Sequence, residues 1–193
     1  MSHEELVWNL IESPAPLKNL YLPKLSNLEG RDKFLAIIEE FENTSLPLMK
    51  KQLKGSYIHG DVNDQNLVAD QDGFVVGVID FDDSMWSYPI VELATAMMYL
   101  GSGLDVEYLL DKYNLFYKSY VSKRKVSEME KSLLYNLCLM RFVQSTVMCH
   151  YQFTLEPDNE YLMVSHASGK SRKAVEHLLD IGQVQFYEKV FCI

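Results

Sequence analysis

The chain has 193 residues, 48% of them hydrophobic, and its 18 basic residues are outnumbered by 27 acidic ones for a formal net charge of −9. That apolar content suffices for one core, and the acidic balance excludes a polyanion-binding surface, so no nucleic-acid partner is expected. No apolar run approaches the ~20 residues that a membrane span requires. The opening Met1-Ser2-His3-Glu4-Glu5 lacks the basic and apolar regions of a secretory leader, and its early acids do not suit a mitochondrial one. Cys138, Cys149 and Cys192 are odd in number and make no Cys-x-x-Cys pair, so they read as buried, reduced, structural thiols of a cytoplasmic protein.

In chain order, residues 3–12 read as a helix, and the proline-bearing stretch 14–23 as a loop. A helix is expected from about Glu29 to Glu42, with Phe34, Ile37, Ile38 and Phe41 on one face. Asn43 to Pro47 interrupts it, and a short turn carries Met49 to Leu53. Ser56 to His59 reads as a strand and Asp61 to Gln65 as a loop. Asn66 to Ala69 and Phe74 to Ile79 read as two strands joined by Asp72-Gly73, a strong hairpin signal. Pro89 begins a helix carrying Leu93, Ala94, Ala96, Met97 and Leu100, which Gly101-Ser102-Gly103 ends. Further helices are expected over 105–121, 127–153 and 170–190, the second opening with the capping box Ser127-x-x-Glu130. The expected class is α+β, mostly α, in one domain: a helical lead-in over 1–55, a catalytic loop and hairpin over 56–88, and a helical part over 89–193.

The chemistry concentrates in His59-Gly60-Asp61-Val62-Asn63-Asp64-Gln65-Asn66, followed by Val78-Ile79-Asp80-Phe81. A turn at Asp72-Gly73 pairs residues near 66 with residues near 78 or 79, so Asn66 and Asp80 share the open end of the hairpin. Both offer hard oxygens, and Mg²⁺ ordinarily takes one or two protein carboxylates, completing its shell with water and phosphate. Asp61, at the head of the loop, can face the same space and accept a proton from a substrate hydroxyl. His59 reads as structural support for that loop. Each piece alone has an ordinary reading, such as a turn-capping Asp or a hydrogen-bonded His; their order and spacing favour phosphoryl transfer. Asp82, Asp83 and Trp86 are candidates for substrate contact, and equally read as solvated turn residues and packing. Arg141, Gln144 and His150 interrupt an apolar helix face and read as structural hydrogen-bonders, with substrate contact as the alternative. The methionines of 97–98 and 140–148 read as core filler.

These stretches, together with Glu92-Leu93-Ala94, Arg141-Phe142-Val143-Gln144-Ser145 and Asn159-Glu160-Tyr161-Leu162-Met163-Val164, resemble the aminoglycoside phosphotransferase and choline kinase superfamily. Within it the likeness is closer to the hydroxylysine kinases, and it extends from about residue 5 to about 180. The resemblance implies a protein-kinase-like fold and transfer of phosphate from GTP or ATP to a hydroxyl of an amino-containing metabolite, 5-hydroxylysine foremost. Choline, ethanolamine, homoserine or an aminoglycoside are the alternative acceptors. It further implies that Asp61 is the base and that Asn66 and Asp80 are the Mg²⁺ ligands. Two departures stand out. Asp82 occupies a position where protein kinases have Gly, and no Gly-rich strand pair with a strand Lys precedes the motif. The expectation is therefore the C-terminal lobe of such a kinase without its N-terminal lobe, exposing a surface open to self-association. A catalytically impaired lobe that binds a ligand or partner is the competing reading.

Overall fold

A computed structural model describes residues 7–102, 108–160, 162 and 169–192. The opening of the helix expected over 3–12, the start of that expected over 105–121, Gly103, Tyr161, Met163 and Val164 lie outside the described residues.

The stretch expected as a loop over 14–23 is helical instead. Pro14–Pro16 forms one turn, Leu17–Tyr21 a widened π turn and Leu22–Lys24 a 3₁₀ turn. Proline suits a first helical turn, because its fixed φ matches the helix and its missing N–H falls where no partner exists. Burial of Leu17, Tyr21 and Leu22 then holds the turns in place. Helix α1, Arg31–Glu40, also runs on where an interruption was expected. A π turn over Phe41–Ser45 leads into α2, Leu46–Gln52. Pro47 has no N–H to give back to residue 43. The wider turn, in which the Leu46 N–H bonds the Phe41 carbonyl, carries the chain past it.

Four short strands follow. β1 (Ser56–Ile58) pairs antiparallel with β4 (Met85–Ser87), and β2 (Leu67–Ala69) with β3 (Val75–Val78). The β2–β3 register sets Leu67 opposite Val78, as the Asp72-Gly73 turn implies. At the tip the Gly73 N–H bonds the Asp70 carbonyl with Gly73 at φ 84°, a conformation that suits glycine. The β1–β4 ladder has no sequence signal of its own; Met85-Trp86-Ser87 is too short and too close to Pro89 to read as a strand. It matters because it brings the start of the loop at His59 beside the segment after β3.

The rest is helical: α3 (Pro89–Ser102), α4 (Leu109–Val121), α5 (Glu128–Leu155) and α6 (Lys170–Val190), which breaks at Gly182. Both halves of the capping box form at the head of α5. The Ser127 hydroxyl accepts from the Glu130 N–H, and the Glu130 carboxylate accepts from the Ser127 N–H. Arg124 also reaches Glu130, at 2.5 Å. Burial opposes ionisation of that carboxylate, but the Ser127 N–H, Arg124 and the Ser127 hydroxyl outweigh it and hold the group below its ordinary range. α5 packs against α6, α3 and α1 and carries the middle of the core through Leu134, Leu137, Phe142, Val143 and Val147. Met97, Met98, Met140 and Met148 are all buried in it, as filler. Of the thiols only Cys138 is fully buried, and burial pushes it well up. Cys149 is half-buried and Cys192, near the end of the chain past α6, is exposed, which corrects the expectation of three buried thiols. No helix among the described residues is long and apolar enough to cross a membrane.

Candidate active site

β1 delivers His59 to the mouth of the loop. Its ring is buried, with Nδ1 accepting from the Asp61 N–H at 3.3 Å and Nε2 within 2.9 Å of the Ile79 carbonyl. His59 therefore ties the loop to the end of β3, and its ring also lies 4.8 Å from that of Phe81. Gly60 turns the chain at φ 85°, and its N–H donates to the Glu92 carboxylate at 3.1 Å. A Cβ there would sit 2.5 Å from the Asp83 carbonyl oxygen, so the loop and the segment after β3 pass too closely for any other residue.

Asp61 is held from three sides. Asn63 and Asn66 each donate an amide N–H to its Oδ2, at 3.0 and 3.1 Å, and the Tyr99 hydroxyl donates to its Oδ1. The Arg141 Nη2 lies 3.9 Å from the same Oδ1. The side-chain oxygen of Asn63 also caps the 3₁₀ turn Asp64–Asn66 by accepting from the Gln65 and Asn66 N–H groups. The Asp61 side chain stays 22% exposed, which leaves an approach from solvent.

Asn66 is buried, and its amide N–H groups go to the Asp61 carbonyl and carboxylate. Its oxygen is therefore the atom left to ligate. Its backbone carbonyl accepts from the Ile79 N–H at 3.0 Å, which places Asp80 one residue beyond the partner of Asn66. Asp80 has φ 62°, and no other non-glycine among the described residues has a positive φ. A backbone of this kind at a carboxylate is a feature that clusters at functional sites. One amide oxygen and one carboxylate suit Mg²⁺, which takes its remaining ligands from water and phosphate. No cluster of three or more His, Cys, Asp or Glu poised for a metal occurs among the described residues.

Asp82 and Asp83 follow on an exposed turn. Partial desolvation raises the Asp83 carboxyl above its ordinary range, and Asp61, Asp80 and Asp82 push the same way against Arg141. Asp83 therefore lies within electrostatic reach of the other three carboxylates. Trp86 lies elsewhere: it belongs to β4, meets Tyr57 edge-on at 5.3 Å and leans over Gly55. Beside the loop, a cavity of about 410 Å³ is lined by Val62, Asn63, Asp64, Leu67, Tyr99 and Phe116, among others. Asn63 and Tyr99 therefore join its wall to Asp61.

A scan against family models matches residues 8–117 to the phosphotransferase enzyme family. The chain belongs to that family. This agrees with the resemblance carried by the His59 to Asn66 and Asp80 motifs. Among curated proteins, the chain is 31% identical to a hydroxylysine kinase of Danio rerio over 186 residues, 92% of this chain and 49% of the relative. It is 29% identical to hydroxylysine kinases of Bos taurus and Xenopus laevis, over 95% and 97% of this chain. The chain spans about half the length of the curated relatives it matches.

Three residues around the Asp61 loop are poorly legible in the sequence. Tyr99, on α3, bonds Asp61 across 38 positions, and no local spacing singles it out. Glu92 stands out by likeness alone, yet it holds the Gly60 N–H. Arg141 reads first as a structural hydrogen-bonder. It does bond Gln144, which bonds the Val7 carbonyl, but it also stands beside Asp61. The expectation for Gln144 and His150 matches what is seen, since His150 Nδ1 lies 2.9 Å from the Thr146 carbonyl.

Proposed function

We propose that this chain is the catalytic half of a small-molecule kinase that transfers the γ-phosphate of GTP or ATP to a hydroxyl of an amino-containing metabolite, with 5-hydroxylysine the first candidate acceptor. The observation that carries the reading is the hydrogen-bonded Asp61 carboxylate one loop away from the Asn66–Asp80 pair. Asp61 orients the acceptor hydroxyl and accepts its proton. Asn66 and Asp80 hold Mg²⁺, which supplies charge neutralisation at the phosphates. His59 and Gly60 keep loop and hairpin in register. The cavity beside the loop suits the acceptor: Leu67 and Phe116 flank a methylene chain, and Asp64 faces an ammonium. Asp82 and Asp83 attract the same cationic groups, while Trp86, turned to Tyr57, is the weakest of the substrate-contact candidates. The names of the relatives support 5-hydroxylysine over choline, ethanolamine, homoserine or an aminoglycoside. We place the reaction in the cytoplasm, in one domain with the architecture of a protein-kinase-like C-terminal lobe.

A second reading is favoured by one observation. Phe74, Val75, Val76, Ile79 and Phe81 are all exposed on and beside the β2–β3 hairpin. Such a patch favours association, either with a nucleotide-covering lobe or with another copy, and a chain lacking that cover would bind ligand or partner without turning over. The test is release of nucleoside diphosphate by the purified chain with 5-hydroxylysine, Mg²⁺ and GTP or ATP, repeated with Asp61→Asn. Turnover abolished by Asp61→Asn is expected. Absence of turnover in the unaltered chain overturns the kinase reading, and binding of Mg–nucleotide or 5-hydroxylysine without turnover, measured by calorimetry, supports the second.

A further inference from the structure

Arg141 is a cation in the middle of α5, its side chain only 4% exposed. Its guanidinium lies 5.6 Å from the centroid of the Trp8 ring, and its Nη1 donates to Gln144. Its Nε is buried and has no hydrogen-bond partner among the described residues. Its Nη2 stands 3.9 Å from Asp61 Oδ1, beyond hydrogen-bonding distance. Nε–H and Nη2 form one edge of the guanidinium, the two-donor edge that matches a carboxylate. Leaving a charged donor buried and unpaired is costly, so Nε calls for an occupant. Asp61 does not supply it, because its nearest oxygen stands 3.9 Å from Nη2.

We propose that the Nε/Nη2 edge of Arg141 receives the carboxylate of the acceptor, so that the acceptor is a hydroxy amino acid rather than an amino alcohol or an aminosugar. The inference rests on the kinase reading for the place of the acceptor hydroxyl at Asp61. In 5-hydroxylysine four C–C bonds separate the hydroxyl-bearing carbon from the carboxylate carbon, a span of roughly 5 Å when extended. An Arg edge within 4 Å of the base is at a matching distance, since hydrogen bonds at both ends take up the remainder. Arg141 thereby becomes a specificity-determining residue. Choline, ethanolamine and aminoglycosides, which have no carboxylate, leave the edge unpaired.

The test compares two probes by calorimetry and by phosphate transfer, with and without Mg–nucleotide. They are 5-hydroxylysine and 1,5-diaminopentan-2-ol, which keeps the hydroxyl and both ammonium groups and lacks only the carboxylate. Unaltered chain is expected to favour 5-hydroxylysine by at least about 10²-fold, as sites built around a polar partner reject analogues lacking it. Arg141→Lys keeps the charge but not the two-donor edge and is expected to bring the two probes within about 3-fold. Equal binding of the two probes, binding of neither, or an undiminished preference in Arg141→Lys overturns the inference. Should the variant fail to fold, the methyl ester of 5-hydroxylysine on unaltered chain decides the matter, and binding as tight as the free acid counts against it. Preferential binding without transfer keeps this inference and removes the kinase reading. Equal transfer to both probes does the reverse.

Discussion

Gly60 and Gly73 have nearly the same backbone, φ 85° and 84°, in different surroundings. Alanine at either carries the cost of a left-handed conformation, about 1–2 kcal/mol. At Gly73 nothing lies within 4 Å of the added Cβ, so that is the whole effect. At Gly60 the Cβ would meet the Asp83 carbonyl oxygen at 2.5 Å and the Met85 Cε at 2.8 Å. The methyl of Met85 can swing away, but the Asp83 carbonyl is backbone, two residues ahead of β4, and cannot. Overpacking of that kind adds about 1–3 kcal/mol, so Gly60→Ala should lose roughly 2–5 kcal/mol in all. Because relief comes from moving the loop, Asp61 should shift too, and a misplacement near 1 Å costs about 10²-fold in rate. Urea unfolding of both variants measures the first quantity, and phosphate-transfer assays the second. Gly73→Ala should keep full turnover. Equal destabilisation of the two variants would refute the reasoning, because it would mean that the close approach of loop and turn is not felt.

Four further outcomes follow from the same geometry. Asp80→Asn should leave stability within about 0.5 kcal/mol, since asparagine also tolerates a positive φ, while Mg²⁺-dependent nucleotide binding measured by calorimetry falls more than about 10-fold. Glu130→Gln should cost about 1–2 kcal/mol at pH 7 through its bonds to Arg124 and Ser127. Because the folded carboxylate is held below its ordinary value, that stabilisation is present above the unfolded value of about 4.3 and is lost as pH falls through the folded one. The melting-temperature gap between the two proteins should therefore close below about pH 4. Tyr113→Phe should be neutral or stabilising by about 1 kcal/mol in thermal melts, because the Tyr113 hydroxyl is buried with no partner among the described residues. Phe186→Ala, which removes the ring that meets Tyr113, Tyr135, Tyr187 and Phe191, should lose roughly 3–5 kcal/mol by urea unfolding.

How legible each feature is depends on how local its cause is. The Asp72-Gly73 turn fixes the hairpin register through a few residues, so the pairing of Leu67 with Val78 can be read in advance. Ser127 and Glu130 are three apart and announce the head of α5. Pro14, Pro16 and Pro47 mislead because proline removes a donor without forbidding a helix. Whether the chain stops depends on the burial of Leu17, Leu22, Phe41 and Met49, which is a property of the packed core. The shell around Asp61 shows the same limit. Asn63 and Asn66 lie within five positions and arrive with the loop. Tyr99 comes from a helix that the β1–β4 ladder and Pro89 aim at the site, and Arg141 from a helix 80 positions away. No spacing rule links such residues to Asp61. What the sequence does carry is the anomaly of one arginine within an apolar run of α5. A buried charge of that kind is retained only where something meets it, and here part of that something is Asp61 on the loop after β1. The unmatched edge of Arg141 is therefore the sharpest point at which the substrate of this fold can be questioned by experiment.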